Sequence, residues 1–155
     1  MVEAQSFEAT YLALYRSGEL QDRVTSAYEH LEHCGLCGRE CRVNRTTGDQ
    51  ENLGSCNTGV RARVASYGPH FGEEDPLRGH RGSGTIFFSW CSMSCQYCQN
   101  YDISQLGRGR EVKTDELAEM MISLQTQGCH NINLVTPTHV TAPILDAVSL
   151  AAEKG

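Results

Sequence analysis

Three cysteines, Cys91, Cys95 and Cys98, occur close together in the run CSMSCQYC. Thiolates are the usual ligands of iron–sulfur clusters, and the C-x3-C-x2-C spacing lets three sulfur atoms reach one [4Fe–4S] cube. The fourth iron then has no protein ligand, so it can bind a small molecule and pass it an electron. A structural zinc site normally has four protein ligands, and the nearest other thiols, Cys56 and Cys129, are distant in sequence. The spacing therefore predicts a cluster with an open iron, with a zinc site or a disulfide as the alternatives.

A second group of cysteines precedes the first, with the spacing C-x2-C-x3-C-x14-C. Its members are Cys34, Cys37, Cys41 and Cys56. Four thiolates can complete the tetrahedral coordination of zinc, and zinc can fold a segment that has little core of its own. A second [4Fe–4S] cluster would use the same thiols and could relay electrons. The sequence favours a metal site here without separating zinc from iron–sulfur, and disulfides are the third alternative.

The composition argues against several classes of function. The chain has 155 residues and a formal net charge of −6, from 13 basic and 19 acidic residues, and it has no basic run typical of a nucleic-acid surface. No stretch approaches the roughly 18 consecutive apolar residues of a membrane span. Residues 1–7 lack the basic start and apolar core of a secretory signal. Eight cysteines without an export signal favour metal ligation, so we expect a protein of the reducing cytoplasm.

Apolar periodicity predicts three helices and three strands. The predicted helices are Tyr11–Leu31, with a break near Gly18, Thr114–Gln125 and Ala142–Lys154, and the predicted strands are Val60–Ser66, Thr85–Trp90 and Asn131–Val135. Thr114 suits the N-cap of its helix and Gly128 the end. The Gly- and Pro-containing stretch Gly68–Arg81 is predicted to be a connector without regular structure. The last two strands alternate with helices, which indicates parallel β/α units with Cys91 and Thr136 at the carboxyl ends of their strands.

The run from Gly82 to Ser104, GSGTIFFSWCSMSCQYCQNYDIS, resembles the radical S-adenosylmethionine superfamily. The resemblance lies in the three spaced cysteines, in the aromatic residue just before the third, and in the place of the loop after a strand. From about Tyr11 onwards, the chain is similar to a largely uncharacterised branch related to the pyruvate formate-lyase activating enzyme. The stretch CRVNRTTG, from Cys41 to Gly48, also resembles the cysteine-rich N-terminal module of that branch.

The resemblance implies an enzyme. S-adenosylmethionine would bind the open iron through its amino and carboxylate groups, and one electron from the reduced cluster would cleave it to a 5′-deoxyadenosyl radical. That radical would abstract hydrogen from a substrate, which the sequence does not identify and which is a protein in the activating enzymes. The implied electron donor is an external flavodoxin or ferredoxin, with no nucleic acid or membrane as partner. The alternatives are a non-catalytic iron–sulfur or zinc protein, used for electron transfer or structure, and an inactive truncated fragment.

The resemblance also implies an α/β fold that begins a partial (βα)6 barrel. Only the first two β/α units fall within the sequence, so we expect a fragment or a truncated reading frame of a longer protein. The predicted segments are a helical segment at 1–33, a four-cysteine metal-binding module at 34–66, a connector at 67–84 and a truncated radical S-adenosylmethionine barrel at 85–155.

Four further residues are implied as cofactor contacts. Tyr97 occupies the position that lies against the adenine in the superfamily, and Asn100 follows closely enough to fix the loop or touch the ligand. Many members carry a Gly-Gly-Glu-like stretch after the second strand, whereas this chain has TPTH and no acidic residue there. Oxygen atoms of Thr136 and Thr138 could accept from the ammonium group of the cofactor, more weakly than a carboxylate. His139 is either a ligand-facing acid or base or a structural histidine, and no catalytic residue is identified.

Overall fold

A computed structural model describes residues 8–49 and 51–155 of the chain. The described part contains six α-helices, four strands and two short 3-10 helices. The helices are α1 (Thr10–Ser17), α2 (Glu19–Glu29), α3 (Asp75–Arg78), α4 (Tyr101–Ser104), α5 (Thr114–Thr126) and α6 (Thr141–Lys154). The strands are β1 (Arg63–His70), β2 (Ser83–Phe88), β3 (Arg110–Glu111) and β4 (Ile132–Val135), and the 3-10 turns are Gly54–Cys56 and Thr138–Val140. Residues 1–7, which belong to the predicted helical segment and to the secretory-signal argument, lie outside the described residues.

The strands form one mixed sheet in the order β3-β1-β2-β4. β2 and β4 are parallel, with Gly84 opposite Ile132 and Phe87 opposite Val135, as the alternating β/α pattern predicts. β1 is antiparallel to both β2 and β3. The sheet is open rather than closed into a barrel. A partial radical S-adenosylmethionine barrel therefore stays a prediction, because one parallel pair is common to many α/β folds.

The main core lies between the sheet and the helices α5 and α6. The apolar run of β2 points Ile86 and Phe88 into it, and both side chains are buried. The helix α5 contributes Leu117, Met121 and Leu124, which recur at helical spacing and are also buried. This packing fixes β2 and β4 as neighbours, and it therefore fixes the loops that follow their carboxyl ends.

The N-terminal helices form a separate layer on α6. The predicted break in the first helix is confirmed, because Gly18 has a φ of 84°, a left-handed value that suits glycine. The buried face of α2 includes Leu20, Val24 and Ala27, and Ala27 packs in a small cluster with Leu31 and Ala142 of α6. The four-cysteine segment follows these helices in the chain and leads to the first strand of the sheet.

The predicted strand before the connector is present with different bounds, and the prediction of a connector without regular structure is wrong. The predicted strand Val60–Ser66 begins at Arg63 and continues to His70, and the predicted connector holds the end of β1 and the short helix α3. Pro69 is tolerated in the strand because β3 pairs only with Arg63 and Val64, which leaves an open edge beside Pro69. β1 also crosses residue 66, where the predicted four-cysteine module ends.

The predicted N-cap of α5 is wrong by one residue. Thr114 is the first helical residue and Lys113 takes the N-cap position. The carboxylate of Glu116 reaches back and accepts a hydrogen bond of 2.8 Å from the backbone N–H of Lys113, which fixes this start. The predicted end at Gly128 agrees with its φ of 87°. Within residues 8–49 and 51–155, none of the helices is both long and apolar enough to cross a membrane.

Candidate metal and cofactor site

The three-thiol loop, residues 91–98, begins just after β2 and lies beside the turn that follows β4. Because β2 and β4 are parallel neighbours, their carboxyl ends meet at the same edge of the sheet. The Nε2 atom of His139 lies 3.1 Å from the backbone oxygen of Ser89 and joins the two segments directly. The geometry therefore brings the predicted cluster loop and the predicted cofactor turn together, at the edge where α/β proteins commonly bind ligands.

Short hydrogen bonds shape the loop around its sulfur atoms. The N–H of Met93 donates to the Sγ of Cys91 over 3.3 Å, and the Cys98 Sγ lies 3.2 Å from the Oγ of Ser104. The side-chain amide of Gln105 donates to the carbonyl of Cys95 over 2.9 Å. The short helix α4 therefore supports the loop from behind, and hydrogen bonds to sulfur are among the interactions that tune an iron–sulfur cluster.

The thiols of the loop are free and accessible, but they do not converge. Cys91 and Cys98 are half-buried, Cys95 is exposed, and none forms a disulfide. In the part of the chain that the structure describes, no three His, Cys, Asp or Glu side chains lie close enough to hold a metal ion. The chemistry of these residues fits a cluster with three protein ligands, since all three are thiols on one loop. Binding would require side-chain rotation within that loop.

Tyr97 and Asn100 occupy different environments. The Tyr97 side chain is 99% exposed, so its ring is free to lie against a planar ligand. Asn100 is half-buried and stands at the N-cap of α4, where its carbonyl accepts hydrogen bonds from Ile103 and Ser104. The geometry of Asn100 agrees with a residue that fixes the loop, whereas direct contact with a ligand stays a prediction.

The turn after β4 is strained and carries a buried histidine. Thr136 has a φ of 63°, which is rare for a β-branched residue. The Thr138 side chain is exposed, and its carbonyl accepts a hydrogen bond from the Thr141 hydroxyl over 2.8 Å. His139 is 1% exposed, and burial lowers the pKa of its ring, with the nearby Arg45 charge lowering it further and the carbonyls of Ser89 and Thr136 opposing the shift. Burial thus favours the neutral form of the His139 ring, and its contact with Ser89 holds the two loops together.

The N-terminal module contains a buried arginine, Arg45, beside one of its four cysteines. Cys34 and Cys56 are buried, and Cys37 and Cys41 are half-buried. Arg45 is 1% exposed, and its guanidinium donates to the Sγ of Cys34 over 3.5 Å and to the carbonyl of Gly59 over 2.8 Å. Burial raises the pKa of the Cys56 thiol, while the Arg45 charge lowers it. The charge of Arg45 therefore offsets part of the effect of burial on the pKa of Cys56.

Cys41 lies on the more open side of the module. The backbone N–H of Ser55 and its hydroxyl both lie 3.5 Å from the Cys41 sulfur. These hydrogen bonds, assisted by the charge of Arg39, lower the pKa of Cys41. A Cβ atom on Gly54 would lie 3.2 Å from the same sulfur, so this position has little room for a side chain. The segment Gly54–Cys56 thus brings the fourth cysteine back towards Cys41.

Backbone strain is concentrated in the three segments that sequence reasoning singled out. Among the described residues, six that are not glycine have a positive φ. Three are in the four-cysteine module, two border or lie within the three-thiol loop, and one follows β4: Glu40, Arg42, Asn57, Trp90, Ser94 and Thr136. Such conformations are costly and often accompany functional sites. The strain therefore agrees with a site built from these segments.

Two arginines of the site are not indicated by the sequence patterns. Arg39 and Arg45 both lie among the cysteines of the N-terminal module, where an arginine is ordinarily a solvated side chain. In the structure, Arg39 donates to carbonyls of the three-thiol loop and Arg45 is buried beside Cys34. The only available signal was their position within the cysteine spacing, since neither contact is local in sequence.

Comparison with known proteins gives a single informative similarity. No protein-family model matches the chain, and no solved structure gives a significant match. An uncharacterized protein of the archaeon Methanocaldococcus jannaschii is 33% identical over 108 residues, which are 68% of this chain and 29% of that protein. The chain therefore spans less than a third of the length of this relative, and any activity of a whole protein of that length is a matter for proposal.

Proposed function

We propose that this chain is an iron–sulfur protein of the radical S-adenosylmethionine type. A [4Fe–4S] cluster would be held by Cys91, Cys95 and Cys98, with S-adenosylmethionine at its open iron. The observation that carries the proposal is the contact between His139 and Ser89, which joins the three-thiol loop to the strained turn after the neighbouring parallel strand. Cluster and cofactor contacts would then lie side by side at one edge of the sheet.

The chain's own residues would bind and orient the cofactor. The exposed ring of Tyr97 offers a stacking surface for adenine. Oxygen atoms of Thr136 and Thr138 would accept from the ammonium group, and Asn100 would hold the loop through its bonds to α4. When bound, the cluster supplies one electron for reductive cleavage of the cofactor, which starts hydrogen abstraction from a substrate.

The four-cysteine module would hold a second metal. Arg45 is buried, and it takes part in none of the ion pairs among the described residues. A buried cation without an anion is strongly unfavourable. A metal bound by four thiolates carries net negative charge and would compensate it, whether the metal is zinc or a second [4Fe–4S] cluster.

The proposed cluster also implies a cellular compartment and an electron donor for this protein. All eight cysteines are free of disulfides, as the described residues show, which suits the reducing cytoplasm. The electron would come from an external donor of the flavodoxin or ferredoxin type. The hydrogen donor, a protein or a small molecule, is the substrate still to be found.

Anaerobic reconstitution tests this proposal. We expect the full chain to bind iron, to show a cluster signal on reduction with dithionite, and to change that signal when S-adenosylmethionine is added. Replacing Cys91, Cys95 and Cys98 by Ala should remove about four irons per chain, whereas Cys129→Ala, outside both cysteine groups, should remove none. Formation of 5′-deoxyadenosine would support the enzyme directly.

Two results would contradict it. A triple variant that keeps all its iron would show that the loop holds no cluster. A reduced cluster whose spectrum ignores S-adenosylmethionine, with no nucleoside product, would instead favour the second candidate, a non-catalytic iron–sulfur or zinc protein. The complete four-thiol set beside Arg45 is the observation that favours this second candidate.

A further inference from the structure

We propose that Arg39 is a positioning residue that transmits the state of the four-cysteine module to the three-thiol loop. Metal binding at the four cysteines would fix Arg39, and Arg39 would in turn hold the loop in one conformation. The inference rests on the proposed function, because it assumes a metal at the module and a cluster on the loop. The conformation of the three-thiol loop would then depend on whether the four-cysteine module holds a metal.

Arg39 bridges the two sites through a pair of hydrogen bonds. Its Nε donates to the carbonyl of Ser92 over 2.6 Å, and its Nη2 donates to the carbonyl of Met93 over 3.3 Å. The guanidinium is planar and fixes two acceptors at once, which gives it a defined orientation that a lysine does not have. Both acceptors lie between Cys91 and Cys95, so the bridge acts on the part of the loop that spaces these ligands.

The other end of the bridge lies inside the metal-binding module. Arg39 stands between Cys37 and Cys41, and the next residue, Glu40, donates its N–H to the Cys37 carbonyl over 3.0 Å. Glu40 has a φ of 42°, so the chain turns sharply here. A metal bound to Cys37 and Cys41 would restrain the backbone on both sides of Arg39. It would therefore reduce the freedom of the guanidinium that holds the loop.

Buried groups also lie between the four-cysteine module and the start of the three-thiol loop. Arg45 contacts the Cys34 sulfur and is close enough to His139 for its charge to lower the pKa of the ring. His139 in turn bonds the Ser89 carbonyl, two residues before Cys91. The module therefore contacts the middle of the loop through Arg39, while His139 of the turn after β4 holds the residue near its start. The contact made by Arg39 is the one that can change most easily, since Arg39 is exposed whereas Arg45 and His139 are buried.

Hydrogen exchange in a chain that cannot form the cluster tests the bridge. Replacing Cys91, Cys95 and Cys98 by Ser leaves the four-cysteine module as the metal site, and one equivalent of zinc is added. Mass spectrometry then compares exchange of the loop amides with and without zinc. We expect zinc to slow exchange about five- to tenfold, the loss of mobility that one or two net hydrogen bonds provide.

The Arg39 variants give the decisive comparison. In the same background, Arg39→Ala should abolish the zinc-dependent protection of the loop while one zinc per chain is still bound, and Arg39→Lys should restore only part of it. Arg42→Ala is the matched control, since Arg42 is exposed in the same module and pairs with Glu40. It should keep the full protection.

Three outcomes would overturn the inference. Equal protection in Arg39→Ala and Arg42→Ala would show that the bridge transmits nothing, and unchanged exchange on adding zinc would show that the sites are independent. A module that binds neither zinc nor iron would remove the premise. These results are separable from a failure of the proposed function, because that function is tested with the loop cysteines intact and this coupling with them replaced.

Discussion

Arg45 shows how one residue can determine the chemistry of a site. Arginine is a cationic side chain, yet Arg45 is 1% exposed and its Nε atom has no hydrogen-bond partner among the described residues. Its nearest sulfur belongs to Cys34. A buried charge without an anion is unfavourable, and in the proposed metal site the thiolates would supply the negative charge.

We therefore expect Arg45→Met to weaken metal binding more than it weakens the fold. The variant should lower zinc affinity by about tenfold or more, since a hydrogen bond to a charged group contributes roughly 1.5–3 kcal/mol. Competition with a chromogenic chelator measures this affinity. Arg42→Met, in the exposed part of the module, should bind zinc like the parent chain. Equal affinities in the two variants would contradict the role of Arg45 as counter-charge.

His139 predicts a pH dependence of stability. Its pKa in the folded chain is lowered, mainly by burial, below its ordinary value near 6.5. The unfolded chain therefore binds a proton first as the pH falls, so the contribution of His139 is present at neutral pH and is lost below about pH 6.5. The slope from one group is at most about 1.4 kcal/mol per pH unit.

Thermal unfolding of the metal-free chain between pH 5 and 7.5 measures this effect. We expect stability to fall with acidity in the parent chain and to depend less on pH in His139→Gln. The exposed His33→Gln is the control and should follow the parent. Parallel curves for the parent and His139→Gln would show that burial of this ring is not what makes the chain acid-sensitive.

At the scale of elements, one glycine controls the start of the three-thiol loop. Gly107 follows α4 with a φ of 63°, and a Cβ atom there would overlap the ring of Trp90. Trp90 immediately precedes Cys91. The backbone N–H of Trp90 donates to the Ile103 carbonyl over 2.8 Å. The loop and the segment after α4 are therefore packed through this ring.

Gly107→Ala should displace Trp90 and destabilise the chain by about 2–4 kcal/mol, through steric overlap and an unfavourable φ. Trp90 is the only tryptophan in the sequence, so its fluorescence reports the displacement directly. Gly68→Ala is the control, because a Cβ atom there meets nothing within 4 Å. An emission spectrum and unfolding midpoint unchanged by Gly107→Ala would contradict this packing.

The elements that the sequence predicts well are those with a strong local signal. β2 ends in the apolar run Ile86–Phe88 and lies two residues earlier than predicted, and α5 repeats its apolar residues at helical spacing and has nearly its predicted bounds. β1 extends further than predicted because its partner β2 lies after the connector, and pairing overrides the turn signals of Gly68 and Pro69. β3 has two residues and exists only through its pairing with β1, so no local pattern could reveal it.

The same reasoning explains what was predictable in the site. The cysteine spacing identifies seven candidate ligands because ligands of one centre are often close in sequence. Whether they bind metal is still a prediction, since their side chains do not converge in the described structure. Arg39 contacts residues 53 and 54 positions away, and His139 contacts a residue 50 positions away. Such contacts depend on the folded arrangement of modules and are invisible to local spacing.

At the scale of the whole molecule, the described chain has three parts: the N-terminal helices, the four-cysteine module and the sheet with its packed helices. The N-terminal helices pack on α6, and the Tyr28 hydroxyl lies 3.1 Å from the carboxylate of Asp146. The four-cysteine module contacts the loop through Arg39 and approaches His139 through Arg45. The sheet supplies the loop itself and the turn after β4. The four-cysteine module and the sheet thus both contribute to the region of the loop, although the residues involved are far apart in sequence.

The strand order of the sheet bears on where a further strand could pair with it. β2 has its antiparallel neighbour β1 on one side and β4 on the other, and β4 is the outermost strand of the described sheet on that side. The free edge of β4 could therefore take a further parallel strand, since β4 runs in the same direction as β2. Such a strand would lengthen the rim of the sheet beyond Thr136 and leave the three-thiol loop, which follows β2, at the beginning of that rim.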